Sequence, residues 1–231
     1  MADRNPFDTH FEEYDAWFET FPNVYQSELR AIESVLPPPG EWAEIGVGTG
    51  RFASRLGIPL GVDPSEKMAA LARDRGIEVL RGRIESLPLM DDSIDAVFLI
   101  TVLCFVEDLG SALGELIRVL RPGGHAIVAF VPGDSTVGEI YAQAGPEDPF
   151  FNQAILRSSS EMISAIKGAG FAIEATVQTL FEPPDRANDR IEKPQSGHDR
   201  GSFVVLRARK RGRRSGDSQR TSDHGTRRDR S

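Results

Sequence analysis

Between residues 42 and 131 short apolar runs alternate with amphipathic stretches, and this alternation restricts the fold more than any other feature of the chain. The runs Trp42–Gly46, Leu60–Asp63, Ile77–Leu80, Ile94–Thr101 and His125–Val131 read as strands. Between them the spacing predicts helices from about Gly50 to Leu56, from Ser65 to Gly76 and from Asp108 to Leu120. Met68, Leu71 and Ala72 form the inner face of the second helix, and Leu109, Leu113, Leu116, Ile117 and Leu120 that of the third. Ser65 suits a helix start, Gly76 a stop, and "RPGG" at 121–124 a terminator. Several strands are apolar on both faces, as a parallel sheet covered from both sides requires. The expected class is α/β, a Rossmann-like, doubly wound sheet with helices on both faces.

The flanks obey other patterns. Phe11, Tyr14, Trp17, Phe18 and Phe21 form an aromatic stripe at helical spacing. Leu29, Ile32, Val35 and Leu36 mark a second helix, stopped by "PPPG" at 37–40, so residues 1–40 read as a helical cap. Its stripe serves either as core packing or as a lid, with Tyr14 the foremost ligand contact. Residues 132–157 are rich in Gly, Pro, Ser and aromatics and show no clear period. A helix follows at Ser160–Ala169, then strands at Phe171–Leu180 and Ser202–Ala208. With no crossover helix between them, these two suit an antiparallel pair, giving about seven strands in all. Their connection, 182–201, is long for a structureless link and points to a lid or binding loop. The main domain is thus 41–209, with 132–157 and 182–201 on its substrate side.

The net charge of −8 is unevenly spread. From Arg207 onward ten Lys/Arg face three Asp/Glu, a local +7 that leaves −15 on the remainder. An acidic body argues against a nucleic-acid-gripping surface. Residues 210–231 have no apolar periodicity and read as a disordered basic tail. Cys104 is the one cysteine, which excludes an intrachain disulfide and a cysteine-based zinc cluster and suits a reducing cytoplasm. The opening "MADRNPFD" has no basic region followed by an apolar stretch, so no secretory signal is expected, and no run is long enough to cross a membrane. No metal-ligand cluster is apparent.

"EIGVGTGRF" at 44–52 places glycines at 46, 48 and 50 directly after the first strand. Such a turn lets a ligand lie against bare backbone amides. Dinucleotides usually want G-x-G-x-x-G; the spacing here is G-x-G-x-G, with Arg51-Phe52 where a third dinucleotide glycine would fall. Glu44 would repel a diphosphate, whereas a ligand bearing an ammonium tolerates it. Asp63 ends the second strand, where a carboxylate can accept hydrogen bonds from ribose hydroxyls.

Together "EIGVGTGRF", "GVDPSEKMAALAR", "GRIESLPLMDDSIDAVFLI" and "ALGELIRVLRPGG" resemble the successive motifs of class I S-adenosylmethionine-dependent methyltransferases, of the type 11 methyltransferase domain. The similarity covers roughly residues 10 to 209, ending in "GSFVVLRARK", which resembles the closing antiparallel strand of that fold. The resemblance implies S-adenosylmethionine as cofactor. It implies that Gly46, Val47, Gly48 and Gly50 line its methionine and ribose portions and that Glu44 lies near its amino-acid end. Asp63 would hold the ribose hydroxyls, Pro64 and Met68 would flank the adenine, and Ile84 and Glu85 would reach the adenine edge. Thr101 and Val102 would sit beside the methionine moiety. Many relatives carry Asp where this chain has Arg83, which removes an acceptor for the adenine amino group.

The resemblance implies in-line methyl transfer, for which the protein chiefly has to align the reactants and exclude water. No triad is present, so no catalytic residue is named. Tyr14, Trp17, Phe130, Tyr141 and Phe151, with Phe150, give the substrate side an aromatic character that suits a small organic acceptor. The competing readings are a nicotinamide-dependent oxidoreductase, a non-catalytic cofactor-binding module, and a methyltransferase of RNA or protein that uses the basic tail. The sequence gives no oligomeric state.

Overall fold

β4 (Ile94–Ile100) is buried on both faces. Ala96, Phe98 and Ile100 point into one apolar core, while Val97 and Leu99 point into the other. That period-2 division in an almost continuous apolar run is what a sheet covered by helices on both sides demands. The structure, a computed structural model, describes residues 6–144, 148–182 and 184–212. The expected basic tail lies outside the described residues from 213 onward.

The other strands are β1 (Trp42–Ile45), β2 (Leu60–Asp63), β3 (Glu78–Arg81), β5 (Leu120–Phe130), β6 (Phe171–Thr179), β7 (Gln195–Ser196) and β8 (Phe203–Lys210). They form an eight-stranded sheet in the order β3-β2-β1-β4-β5-β8-β6-β7. The first five of that order run parallel, with β8 antiparallel to both β5 and β6. The chain reverses its order across β1 and β4, and a doubly wound sheet opens a crevice at such a switch, beyond the carboxyl ends of the strands.

The cap consists of α1 (Pro6–Thr9), α2 (Phe11–Thr20) and α3 (Pro22–Glu33). Phe18, Val24, Tyr25, Leu29 and Ile32 from it pack with Phe52 and Phe98 in the first core. α4 (Arg51–Leu56) and α5 (Glu66–Asp74) follow the first two strands. Ser65 caps α5 by accepting the Met68 N–H. On the opposite face lie α6 (Leu109–Val119), capped by Asp108, and α8 (Ser159–Gly168), which opens with a Ser158/Glu161 capping box.

Three details depart from the sequence expectations. The eighth strand is the two-residue β7, whose pairing with Val177 and Gln178 leaves no apolar signature. The "RPGG" segment ends α6 at Val119 but already belongs to β5, since Leu120 pairs with Ile94 before a register shift near Gly123 at φ +80°. The two irregular segments are also structured. α7 (Thr136–Ala144) lies in 132–157, and α9 (Pro184–Ala187) with β7 lies in 182–201. The latter segment is tied to α3, where Asn23 donates from its backbone N–H and its side-chain amide to Asn188 and the Glu192 N–H donates to Ser27 Oγ at 2.8 Å.

Candidate active site

The turn after β1 takes positive φ at all three glycines, +71°, +53° and +79° at 46, 48 and 50. L-residues with a Cβ rarely adopt this region. A Cβ at Gly46 would lie 2.5 Å from Val102 Cγ2, and one at Gly50 would lie 3.0 Å from the Ala72 backbone. Those two positions are bare for packing. Gly48 differs, because a Cβ there would meet only the Tyr14 ring, at 3.7 Å. Its backbone faces open space that a ligand can approach.

Behind the turn, Glu44 is 2% exposed. Its carboxyl is held by the Ala53 N–H in the first turn of α4, a helix whose N-cap, Gly50, has no side chain to do the same. Burial pushes this carboxyl well above the ordinary range, and the nearby Asp63 charge adds to the effect. Its Oε2 has no hydrogen-bond partner among the described residues. Asp63 is pinned across the turn, Oδ2 accepting the Gly48 N–H and Oδ1 the Ser65 N–H, both at 2.8 Å. Burial raises its carboxyl as well, against the lowering effect of those two amides.

A cavity of about 370 Å³ opens beside these groups. Its walls include Gly46, Gly48, Asp63, Pro64 and Met68, with Ile100, Thr101 and Val102 from the end of β4. Thr101 holds φ +55°, costly for a β-branched residue, with its N–H fixed on the Ala129 carbonyl at 2.8 Å. Much of the remaining lining is aromatic. Phe7 packs against Tyr14, Phe105 and Phe150 at ring separations of 5.9, 5.1 and 5.5 Å. Tyr141 stacks on Phe151 at 3.9 Å. The lining carries the acids Glu13, Glu28, Asp63 and Asp148 and, among the described residues, no Lys, Arg or His.

Of the residues singled out from the sequence, Gly46, Gly48, Asp63, Pro64, Met68, Thr101, Val102, Tyr14, Trp17, Tyr141 and Phe151 come together around this cavity. Glu44, Val47 and Gly50 support the turn from behind, the Val47 side chain filling the space that Gly61 leaves open. Ile84 is buried in the second core and Glu85 is exposed, neither lining the cavity. Phe130 points into the second core because Ala129 and Val131 take the opposite side of the strand, and Val131 reaches the cavity in its place. No residue described in 182–201 lines the cavity.

Phe7, Phe105 and Glu28 went unmarked in the sequence. The first two stand outside any regular period. Glu28 did carry a signal: Val24, Tyr25, Glu28 and Ile32 fall at i, i+1, i+4 and i+8, so a carboxylate interrupts the apolar stripe of α3. No group of three or more His, Cys, Asp or Glu that could hold a metal occurs among the described residues. Nor is any described helix long and apolar enough to cross a membrane.

Residues 43–128 match a family described as a methyltransferase domain. A crystal structure from Thermotoga maritima, described as a SAM-dependent methyltransferase and possible histamine N-methyltransferase, is 42% identical with a TM-score of 0.86, and the match covers 89% of this chain and 99% of that one. An uncharacterised protein of Methanocaldococcus jannaschii is 38% identical over 206 residues, 89% of this chain and 99% of its own. A malonyl-[acyl-carrier protein] O-methyltransferase of Methylococcus capsulatus shares 34% identity over 128 residues, 51% of this chain and 46% of that protein.

Proposed function

Because the chain belongs to the S-adenosylmethionine-dependent methyltransferases, we propose that it transfers the methyl group of that cofactor to a small-molecule acceptor held against the aromatic side chains of the cavity. The observation that carries this reading is a single cavity whose lining joins bare backbone and a pinned carboxylate to a group of aromatic side chains.

The residues fit the cofactor. In this reading Asp63 accepts from the ribose hydroxyls and the Gly46–Gly48 backbone passes along the aminoacyl chain. Pro64 and Met68 flank the adenine, while Thr101 and Val102 border the reacting centre. Glu44 fixes the turn and adds negative potential at the aminoacyl end. A wall with four carboxylates and, among the described residues, no cation favours a ligand that is positively charged.

When bound, the cofactor supplies a methyl group already activated on a sulfonium. The chain's own part is alignment and exclusion of water, and orientation of this kind can lower a barrier by roughly 7–11 kcal/mol in favourable cases. Tyr14, Phe7 and Phe150 close the cavity from the cap and from the segment after α7. Such closure suits an acceptor small enough to be enclosed. The T. maritima relative is described as a possible histamine N-methyltransferase, so small amines are the first acceptors to assay.

The test is calorimetry with S-adenosylmethionine, followed by mass spectrometry of a metabolite extract incubated with isotopically labelled donor. Binding is expected for the natural chain, and Asp63→Ala is expected to weaken it by roughly tenfold or more, the loss of charge-assisted hydrogen bonds. Labelling of macromolecules only, with no labelled small product, would overturn the acceptor assignment.

A further inference from the structure

Glu28 is 7% exposed and lines the cavity, and its carboxyl has no hydrogen bond or ion pair among the described residues. A buried carboxylate without a partner is costly, and a protein retains one where a ligand completes it. Its position separates it from the groups at the glycine turn. The charge of Glu28 reaches both Tyr14 and Tyr141, whereas Glu44 and Asp63 act on Tyr14 alone of these two. Tyr141 stacks on Phe151 and Tyr14 lies beside Gly48, so Glu28 shares the cavity lining with tyrosines of both groups.

We propose that Glu28 is the anchor and proton acceptor for an organic amine, the nitrogen nucleophile of the transfer; this rests on the methyltransferase reading above. Aromatic walls and an unpartnered carboxylate are the chemistry that recognises an ammonium, through cation–π attraction and a charge-assisted hydrogen bond. An alkylammonium has no lone pair, so it must lose a proton before it can attack. Glu28 takes that proton; the freed nitrogen pair forms the new bond to the methyl carbon as the carbon–sulfur bond breaks, its electrons neutralising the sulfonium. The product leaves as a methylammonium, and the carboxyl returns its proton to water.

Burial alone pushes the Glu28 carboxyl up to about 8, within the range where a carboxylate serves as a base near neutrality. The titratable groups that share its surroundings are Tyr14 on α2, Tyr25 on α3 and Tyr141 on α7, with Glu44 and Asp63 at the turn, Cys104 after β4 and Asp148 after α7. Burial raises all three phenols, which keeps them neutral where Glu28 titrates. Arg51 and Arg55 act on Tyr25.

The experiment uses the full chain saturated with S-adenosylhomocysteine, which carries no methyl group to transfer. Histamine, phenethylamine and tyramine are titrated by calorimetry beside 2-phenylethanol, the uncharged counterpart of phenethylamine. At least one amine is expected to bind, with phenethylamine preferred over its alcohol by about tenfold or more, the value of a charge-assisted contact. Glu28→Gln is expected to remove the amine's advantage while leaving homocysteine-product affinity within about twofold, and Glu28→Asp to restore part of it. Melting curves report whether each variant is folded.

Three outcomes overturn the proposal. They are absence of amine binding to the loaded protein, amine binding that survives Glu28→Gln in folded protein, and equal loss of amine and cofactor-product binding in that variant. The last would place Glu28 on the cofactor's own ammonium. Failure of the natural chain to bind S-adenosylhomocysteine at all would instead remove the methyltransferase reading itself.

Discussion

The Asp15 carboxylate accepts two hydrogen bonds from the Arg51 guanidinium, from Nε at 2.9 Å and from Nη2 at 2.6 Å. Arg75 Nη2 reaches the same carboxylate at 2.8 Å while its Nη1 donates to the Thr49 carbonyl. Asp15 belongs to the cap, Arg51 begins the helix after the glycine turn, and Arg75 ends the next one. One carboxylate thus latches α2, with Tyr14 and Trp17, over the turn.

Asp15→Ala is therefore expected to cost about 1–3 kcal/mol of stability by removing the carboxylate that the two arginines share. It should also weaken S-adenosylmethionine binding and raise amide exchange in α2. The guanidinium partners outweigh burial and hold the Asp15 carboxyl down at about 2, below its ordinary 3.8. A depressed carboxyl stabilises the fold above its unfolded value, so this contribution is complete above roughly pH 5 and fades between pH 4 and 2. Unchanged α2 exchange in Asp15→Ala would show that the latch does not hold the cap.

Gly46 and Gly57 separate strain from site geometry. Both have nearly the same φ, +71° and +70°, but a Cβ at Gly57 meets nothing within 4 Å, whereas one at Gly46 runs into Val102. Gly57→Ala is expected to cost about 1–2 kcal/mol from left-handed strain alone, with cofactor affinity unaltered. Gly46→Ala carries the same strain and must also displace Val102 at the cavity wall, so it should melt lower and bind the cofactor more weakly. Equal effects of the two substitutions on binding would contradict this account.

The sheet was readable in advance because its signal is local. Each strand is a short apolar run and each helix has its face and cap within one stretch, as Ser65 and Asp108 illustrate. Asp63 and Gly48 were legible for the same reason, both lying on turns that follow strands. Phe130 was misplaced because which face of β5 a residue takes depends on its register with β4 and β8, and a one-residue difference moves a side chain to the other core. α9 and β7 escaped notice because they are held by contacts far along the chain, such as the Asn23–Asn188 pair. Glu28 is the instructive miss. Its place in an apolar stripe was visible, but its cavity is made by residues from α2, α7 and the segment after it.

Cys104 offers a check on burial beside the cavity. Its thiol donates to the Thr101 carbonyl at 3.2 Å, and burial pushes it up to about 12 from 9.0. Thiolate is the reactive form, so alkylation by iodoacetamide at pH 8 should run roughly a thousandfold slower than for a free cysteine. Unfolding should abolish the difference. Rapid labelling of the native chain would mean that the loop after β4 opens far more readily than its packing indicates.

The unpartnered carboxylate at Glu28 also makes stability depend on pH in the opposite sense to Asp15. Its folded value, about 8, lies above the ordinary 4.5, so between those limits the folded chain holds a proton that the unfolded chain has lost. Stability must then fall as pH rises through that window, and the loss is complete above about 8. Glu28→Gln removes the titration while preserving shape. The variant is expected to melt close to the natural chain near pH 4.5 and several degrees higher at pH 9. A bound ammonium should cancel this penalty by giving the carboxylate a partner. Amine addition to the S-adenosylhomocysteine-loaded protein at pH 8 should therefore raise the melting temperature of the natural chain more than that of Glu28→Gln. Parallel melting profiles for the two proteins from pH 5 to 9 would mean that the carboxyl at 28 stays solvated and pays no burial cost.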